Sequence, residues 1–350
     1  MNDYTIHQGV DLHKKFLQIH SINERTGEVI VQRLPNDEKK IRFFMAQFKE
    51  PIQVGVEATR NWYWFVDLLQ EMGIKVSLSN PIQTKAIAYA RVKNDKVDAQ
   101  TLAHLLRTDL LPTCWIPEGV ERNLREILRF RMKMVHTRTQ LKNLVRSYLA
   151  KQNLHSPYEN IWRGKGRKWL EKAPLKTPHK EMLQESLKQE TLLSEIIETW
   201  EKKIRDMTKQ TLEVRIVESL PGGGFVTALT IITETGPIKR FPSAKRYVAY
   251  VGLAPKTHGS GDKYKSGHLC KQANLTLKWA FIEVATGAVK KDTALGDYYF
   301  RITRKKGKSV AKVAVARKIA KMVYYMLMNG IDYEGYLKKV SGGRLSRVSS

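Results

Sequence analysis

The sequence contains few cysteines and no long apolar run. Cys114 and Cys270 are its only cysteines among 350 residues. Neither belongs to a CxxC pair, which argues for a reducing compartment and against a zinc site. No run of about 18 or more apolar residues exists, so an ordinary transmembrane helix is excluded. No signal peptide precedes the first polar-flanked strand, and we therefore expect a cytoplasmic protein with no membrane partner.

Acidic residues are also scarce relative to basic ones. The chain has 61 Lys and Arg residues against 34 Asp and Glu residues, a formal net charge of +27 at pH 7. A surplus of this size is a physical argument for a polyanionic partner. Hydrophobic residues make up 42% of the chain, which is enough to build cores, and the length predicts two or three domains.

The amino-terminal third alternates strand-like and helical patterns. Strands are predicted at residues 4–12, 15–22, 28–34, 52–56 and 75–79, and helices around 41–48, at 62–72 and from Pro81. Three consecutive strands followed by βα units is the order of an RNase H-like (RuvC-like) mixed α/β sheet. We predict such a catalytic domain over residues 1–119.

Four acids lie at informative places in this order. Asp11 ends the first strand, Glu57 follows the fourth, and Asp95 and Asp98 begin a helix on one face. Each has an ordinary explanation as a turn residue, a solvated strand end or a helix cap. Together they can converge at one edge of a sheet, where a carboxylate cluster is unfavourable unless a metal neutralises it. Oxygen ligands of this kind suit Mg²⁺ or Mn²⁺ acting on phosphates.

Two downstream segments concentrate basic residues on predicted helices. Residues 121–151 interleave a helical apolar period with basic side chains, and residues 301–321 contain nine basic residues and no acid. A solvated helix face is the ordinary alternative for such a segment. The predicted nucleic-acid contacts are Arg125, Arg129, Arg131, Lys133, Arg138, Lys142 and Arg146 in the first segment, and Arg301, Arg304, Lys305, Lys306 and Lys308 in the second.

The middle of the chain is predicted to be helical. Apolar residues between Leu193 and Met207 follow a heptad spacing, which predicts a helical hairpin or a coiled coil with the 121–151 helix. Glycines and prolines over 152–180 interrupt the periodicity and indicate a connector. We predict a basic helical coiled-coil domain over 120–215 and a flexible tail over 341–350.

Two glycine-rich stretches mark the remaining part, predicted as a mostly helical domain over 216–340. The turn at 221–224 resembles a helix-hairpin-helix element, in which Gly222 and Gly224 would let backbone N–H groups approach a phosphate. An ordinary helix–helix turn fits equally well. Ser260 lies between glycines in a basic loop, with Lys256 and Lys263 as predicted contacts. Its hydroxyl could attack a phosphorus if activated, although Gly-Ser-Gly is more commonly a flexible loop.

Taken together, these motifs resemble the DEDD-type insertion-sequence transposases of the IS110 family, which includes the IS1111 group. Family members commonly have Ser or Thr, Gly and Arg where this chain has Leu269, Ala273 and Lys278. None of these departures removes a proposed catalytic group. The matching motifs are Gly9-Val10-Asp11, Glu57-Ala58-Thr59, the run 94–99, Leu220-Pro221-Gly222, the run 252–255, Ser260-Gly261, Gly267, Lys271 and Asn274.

The resemblance implies an RNA-guided, site-specific DNA transposase or recombinase with a separate, serine-containing transposase domain. It implies that Asp11, Glu57, Asp95 and Asp98 hold Mg²⁺ (or Mn²⁺) and that Ser260 forms a transient covalent link to DNA. The implied partners are donor and target DNA, an element-encoded bridge RNA, and further protomers in a dimer or tetramer with composite active sites. Such a prokaryotic protein would be nucleoid-associated when bound to DNA.

Two other functions remain open from the residues alone. A RuvC-like Holliday-junction or structure-specific nuclease would need only the four acids and a water nucleophile, and it would leave no protein–DNA adduct. A non-catalytic nucleic-acid-binding scaffold would need neither Mg²⁺ nor the carboxylate of Asp11.

Overall fold

The chain is described here from a computed structural model. The description covers residues 4–87, 94–260, 263–269 and 273–342, with the backbone alone for 256–260 and 263–268. The chain divides into two compact units, residues 1–117 (unit 1) and 118–350 (unit 2). Unit 1 ends close to the predicted boundary at 119, whereas the predicted division of the remainder at 215/216 stays a prediction.

Unit 1 is built on one six-stranded mixed sheet. The sheet order is β3-β2-β1-β4-β5-β6. The pairs β1–β4 and β4–β5 are parallel, and the pairs β1–β2, β2–β3 and β5–β6 are antiparallel. This arrangement fits the predicted RNase H-like domain, while the short β6 was not predicted. The strands are β1 Ile6–Leu12, β2 Phe16–Asn23, β3 Val29–Pro35, β4 Ile52–Glu57, β5 Lys75–Ser79 and β6 Thr113–Cys114.

Helices cover the sheet of unit 1. They are α1 Glu38–Ala46, α2 Trp62–Glu71, α3 Pro81–Ile87 and α4 Asp95–Arg107. Successive side chains of a strand point to opposite faces. Val10 and Leu12 of β1 are buried in a core that includes Ile41 of α1 and Phe65 of α2. Gly9, and with it Asp11, belongs to the other face, on which α4 packs.

Two glycines allow α4 to lie directly on this face. Gly9 and Gly55 are opposite each other in the parallel pair β1–β4. A Cβ at position 9 would be 2.0 Å from the carbonyl oxygen of Ala99 and 2.4 Å from the nitrogen of Ala103. At position 55 it would meet the side chain of Leu111 at 3.2 Å. This close approach brings the first turn of α4 beside the edge of the sheet where β1 and β4 end.

Unit 2 is mostly helical, with one two-stranded hairpin. Helices α5 and α7 pack against each other, as the predicted helical hairpin requires, while the coiled coil stays a prediction. The helices are α5 Gly119–Lys151, α6 Gly164–Glu171, α7 His179–Met207, α8 Leu212–Glu218, α9 Phe225–Thr235, α10 Ala244–Val251, α11 Leu275–Lys291, α12 Thr293–Lys306, α13 Lys308–Asn329 and α14 Tyr333–Ser341. The antiparallel hairpin consists of β7 Pro255–Ser260 and β8 Lys263–Leu269.

Unit 2 contains two hydrophobic clusters. The larger one surrounds Tyr247 of α10 and Phe281 of α11, both fully buried. The smaller one joins Val145 of α5 to Leu170 of α6 and Leu183 of α7. The segment predicted as a connector therefore contains a helix and packs into the unit. Residues 343–350 of the predicted tail lie outside the described residues. Among the described helices, none is long and apolar enough to cross a membrane.

We expect Gly9→Ala to destabilise unit 1 by about 1–3 kcal/mol or more, because the added methyl group must displace backbone atoms of α4. Gly55→Ala should cost less, since a leucine side chain can move more readily than a helix backbone. Gly119→Ala is the matched control, because a Cβ there meets no atom within 4 Å. Urea denaturation followed by circular dichroism measures the effect. Equal midpoints for Gly9→Ala and Gly119→Ala would contradict the close-packing account.

Candidate active site

The candidate site is built at one edge of the sheet in unit 1. The parallel strands β1 and β4 run in the same direction, so their carboxyl ends meet at the same edge. Asp11 lies near the end of β1 and is 9% exposed. Glu57 is the last residue of β4. Two of the four predicted acids are thus contributed by neighbouring strands.

Helix α4 brings the other two acids to this edge. Asn94 is its N-cap, and the Asn94 side chain accepts a hydrogen bond from the Val97 N–H at 2.9 Å. The capping role that acids at a helix start commonly have is therefore filled by Asn94. Asp95 and Asp98 lie in the first turn, where the helix dipole favours negative charge.

A histidine connects the strand end to the helix start. The Nε2 atom of His13 lies 3.0 Å from Asp11 Oδ2 and 3.3 Å from Asp95 Oδ1. Within the described ranges, Asp11, His13 and Asp95 form the one group of three ligand-type side chains whose atoms all lie within 4.8 Å of one another. Glu57 and Asp98 lie outside this group, although the charge of Asp98 acts on Asp11.

Asp11 is the electrostatically strained member of the group. Burial raises the pKa of its carboxyl, and the nearby negative charges of Asp95 and Asp98 raise it further. His13 opposes both effects through its charge and its hydrogen bond. A buried carboxylate with two acidic neighbours is the environment in which a bound cation stabilises the ionised form.

The backbone at His13 is held by neighbouring loops. Its carbonyl oxygen accepts hydrogen bonds from Asn36 Nδ2 at 2.9 Å and from Asn61 Nδ2 at 3.0 Å. The hydroxyl of Thr59 in turn donates to Asn61 Oδ1 at 3.0 Å. The loop after Glu57 is thereby tied to the turn after Asp11, so the two strand ends are positioned as one assembly.

His13 and Asn61 were not identified from the sequence. A signal for His13 existed, because it follows Asp11 by two residues and alternate residues of a strand share a face. No comparable signal exists for Asn61, since its importance depends on a carbonyl oxygen 48 residues away in the sequence.

The donor set fits a divalent cation. One oxygen each from Asp11 and Asp95, together with the imidazole nitrogen of His13, can hold a metal ion. Carboxylate oxygens suit Mg²⁺ and Mn²⁺, and a nitrogen donor is better tolerated by Mn²⁺ and other transition metals. The cluster supports divalent-metal binding in general and does not select one ion.

The predicted nucleic-acid residues of α5 are largely engaged inside unit 2. Arg125 is 8% exposed and donates to the carbonyl oxygens of Thr233 and Glu234, both at 2.9 Å. Arg129 binds the Glu234 carboxylate through two hydrogen bonds. Arg131 pairs with Glu201, Arg138 with Ser194, and Lys142 with Glu190. Lys133 and Arg146 are exposed.

These contacts give the α5 arginines a structural role inside unit 2, which the pattern of basic residues did not indicate. The Arg125 guanidinium is buried and already bonded to two carbonyl oxygens, so it leaves little surface for the predicted phosphate contact. For the other six residues that contact stays a prediction.

The glycine turn between α8 and α9 also has a structural explanation. A Cβ at Gly222 would lie 2.6 Å from the nitrogen of Ala288 and 2.8 Å from the Cα of Gly287, and the backbone there has a φ of +86°. Gly222 therefore permits close packing on α11. Gly224 is the N-cap of α9, and no atom lies within 4 Å of a Cβ built there. A phosphate contact by either glycine stays a prediction.

The other predicted residues fall in two places. Ser260 is the last residue of β7, and its backbone pairs with Lys263 of β8. The side chains of Lys256, Ser260 and Lys263 lie outside the described part of the chain. The second place is the junction of α12 and α13, where the predicted basic residues are all exposed: Arg301, Arg304, Lys305, Lys306 and Lys308.

Two family models match parts of this chain. Residues 8–153 match a family model of DEDD transposases of the IS110 type, and residues 214–300 match the model described as transposase of the IS116/IS110/IS902 family. The first match contains the carboxylate cluster, and the second contains the β7–β8 hairpin.

Individual relatives are similar over most of their length. The transposase for insertion sequence element IS1111A of Coxiella burnetii is 27% identical, covering 93% of this chain and 90% of that protein. A probable family 20 transposase of Pseudomonas aeruginosa is 25% identical, covering 93% and 97%. The transposase for insertion sequence element IS1328 of Yersinia enterocolitica is 20% identical, covering 92% and 96%.

We expect Asp11→Asn to remove metal-induced stabilisation without lowering the stability of the metal-free protein. The raised pKa of Asp11 means that its stability contribution is present at low pH and is lost as pH rises above 3.8. At pH 7 in EDTA the ionised carboxylate thus opposes folding, and the variant should melt no lower than wild type. With Mn²⁺ at about ten times its dissociation constant, wild type should gain about 1.4 kcal/mol.

Asp37→Asn is the control, because Asp37 caps α1 without belonging to the candidate ligand group and asparagine caps equally well. Thermal melts with and without Mn²⁺ measure the difference. A full metal-induced shift in Asp11→Asn would show that the ion binds elsewhere.

Proposed function

Because this chain belongs to the IS110-type family of insertion-sequence transposases, we propose that it is an RNA-guided, site-specific DNA recombinase. A transposase binds and processes DNA, and the relatives named above are bacterial proteins. In our proposal the catalytic residues are Asp11, Glu57, Asp95, Asp98 and Ser260. The guide is a structured RNA encoded by the mobile element, which pairs with donor and target DNA.

The observation that carries the proposal is the convergence of Asp11, His13 and Asp95 at the edge of an RNase H-like sheet. A buried carboxylate with a raised pKa beside two further acids is unfavourable as a purely structural feature. It becomes favourable when a cation neutralises the cluster. Glu57 and Asp98 border the same edge and can complete the ligand set.

Mg²⁺ or Mn²⁺ held here would polarise a scissile phosphate and stabilise a leaving oxygen. The protein's own contribution is to place the ligands. The Gly9 contact sets α4 against β1, and the Asn61 hydrogen bond holds the loop after Glu57 against the turn at His13. Burial of Asp11 keeps this carboxylate out of bulk water, where ion pairing is weaker.

Ser260 is the proposed nucleophile. Its attack would form a bond between the serine oxygen and a DNA phosphorus and break the bond from that phosphorus to a deoxyribose oxygen. The released hydroxyl can later reverse the reaction on another strand, which gives rejoining without an external energy source. The position of Ser260 at the end of β7, in the part that matches the second family model, supports this role.

Composite active sites remain part of the proposal. The acids belong to unit 1 and Ser260 belongs to unit 2, and in the proposed composite sites they come from different protomers of a dimer or tetramer. This assignment rests on the family resemblance.

We expect Ser260→Ala and Asp11→Ala each to abolish a covalent protein–DNA product. Full-length protein, RNA transcribed from the flank of the element, and labelled donor and target DNA are mixed with Mg²⁺ and separated on a denaturing gel. Wild type should give a slow, protease-sensitive DNA band. Ser266→Ala, in the opposite strand of the same hairpin, should keep it. Cleavage that needs Asp11 but not Ser260, with no adduct, would indicate a water-using nuclease instead.

The exposed basic junction of α12 and α13 is the proposed nucleic-acid surface of unit 2. Each lost phosphate contact lowers the slope of log affinity against log salt by about 0.9. Neutralising Arg304, Lys305 and Lys306 together should therefore flatten the slope by up to about 2.7. Neutralising three exposed lysines of unit 1, Lys39, Lys40 and Lys75, is the charge-matched control. An equal slope change in both triple variants would exclude a specific contact at the junction.

A further inference from the structure

A buried carboxylate near the end of α9 joins three elements of unit 2. Glu234 is 1% exposed. Its Oε1 accepts a hydrogen bond from Arg129 Nε at 2.7 Å, and its Oε2 accepts from Arg129 Nη2 at 2.9 Å. Oε2 also accepts from the Asn274 side-chain amide at 2.8 Å. One side chain thus binds α5 on one side and the start of α11 on the other.

The backbone at Glu234 is held as firmly as its side chain. Its carbonyl oxygen, one of those that a helix end leaves without an intrahelical partner, accepts from Arg125 Nη2 at 2.9 Å and from the Tyr250 hydroxyl at 3.1 Å. The neighbouring carbonyl of Thr233 accepts from Arg125 Nε at 2.9 Å. Positive groups near a helix C-terminus are also favoured by the helix dipole. Glu234 is therefore held in one position by hydrogen bonds to its backbone as well as to its side chain.

Asn274 connects the Glu234 carboxylate to the start of α11, which follows the β7–β8 hairpin in the sequence. Its Oδ1 accepts from the Leu277 N–H at 3.0 Å and caps α11, while its Nδ2 is the group that donates to Glu234. Asn274 follows β8 shortly in the sequence. The segment that precedes the hairpin is close by, because a Cβ at Gly252, three residues before β7, would lie 2.2 Å from the Cβ of Ala273. Residues that flank the hairpin on its two sides are thus packed together beside Asn274.

We propose that Glu234 and Asn274 form a clamp that sets the position of the β7–β8 hairpin and, through it, of Ser260. Both are positioning residues, since neither is assigned contact with DNA. The catalytic consequence rests on the proposed role of Ser260, whereas the mechanical part, a hairpin held at its base, does not. Sequence motifs around Ser260 contain Asn274 but give no indication of Glu234, which lies 26 residues before Ser260.

The test acts on Asn274, because removing Glu234 would leave Arg129 without its buried partner and could unfold unit 2. Asn274→Ser keeps an oxygen that can cap α11 but removes the amide that donates to Glu234. Asn274→Asp also keeps the cap and places a carboxylate against Glu234. Asn329→Ser is the control, since Asn329 is an exposed asparagine at the end of α13. Three properties of the full-length protein are compared: hydrogen–deuterium exchange over 255–269, affinity for a DNA duplex spanning the element end, and the rate of adduct formation on saturating DNA.

Both Asn274 variants should exchange faster over 255–269 and form adduct roughly tenfold more slowly or worse, because hydrogen bonds to charged groups shift equilibria by about that factor. DNA affinity should stay near the wild-type value in both variants, and the melting temperature should stay near it in Asn274→Ser, which separates positioning from binding and from folding. Exchange and adduct rates equal to wild type in both variants would overturn the clamp. A uniform loss of stability and DNA binding would also overturn it, in favour of a purely structural role.

If the proposed chemistry of Ser260 is wrong, the experiment gives a different result. If wild-type protein forms no adduct at all, the assignment of Ser260 is wrong, and hydrogen–deuterium exchange alone still decides whether Asn274 holds the hairpin.

Discussion

The absence of a side chain at Gly9 determines how unit 1 presents its acids. The backbone of α4 lies so close to β1 that a single methyl group would overlap the Ala99 carbonyl. Because α4 begins at the edge where β1 and β4 end, this contact decides how near Asp95 and Asp98 come to Asp11. A helix one side-chain layer farther away would leave the same four acids as separate solvated groups. The site therefore depends on a packing contact as much as on its ligands.

The close approach makes the ionised form of Asp11 unfavourable, and the protein compensates for this only in part. Burial and two neighbouring carboxylates raise the pKa of Asp11, and His13 lies between Asp11 and Asp95 as the compensating group. A divalent cation in contact with the same oxygens would compensate more strongly. The buried Glu234 of unit 2 differs, since it receives a guanidinium and an amide from the protein itself. Hydrogen bonds within the protein thus satisfy Glu234, whereas we propose that a bound cation neutralises Asp11.

Much of unit 1 could be predicted because its signals are local. Strand alternation and turn residues specify the order of elements, and two strands ending in acids specify a common edge. His13 was missed although its spacing from Asp11 places it on the same strand face, because that spacing alone does not separate a ligand from a turn residue. In α5, the exposed and buried arginines have the same local pattern, so the engagement of Arg125 and Arg129 by α9 could not be inferred. Similarly, the glycine turn alone left a phosphate site and an ordinary helix–helix turn equally open, because the packing of Gly222 on Gly287 joins residues 65 positions apart in the sequence. Contacts between distant segments are the part that local periodicity does not encode.

We propose that the edge beside Gly9 is a divalent-metal site at which Asp11 and Asp95 bind the ion and Glu57 and Asp98 complete its surroundings. A crystal structure of the full chain grown with Mn²⁺, with anomalous scattering recorded at the manganese edge, tests it most directly. We expect anomalous density in contact with carboxylate oxygens of Asp11 and Asp95, with Glu57 and Asp98 turned toward the same ion or its bound water. Anomalous density elsewhere, with His13 still lying between the two carboxylates, would contradict the account.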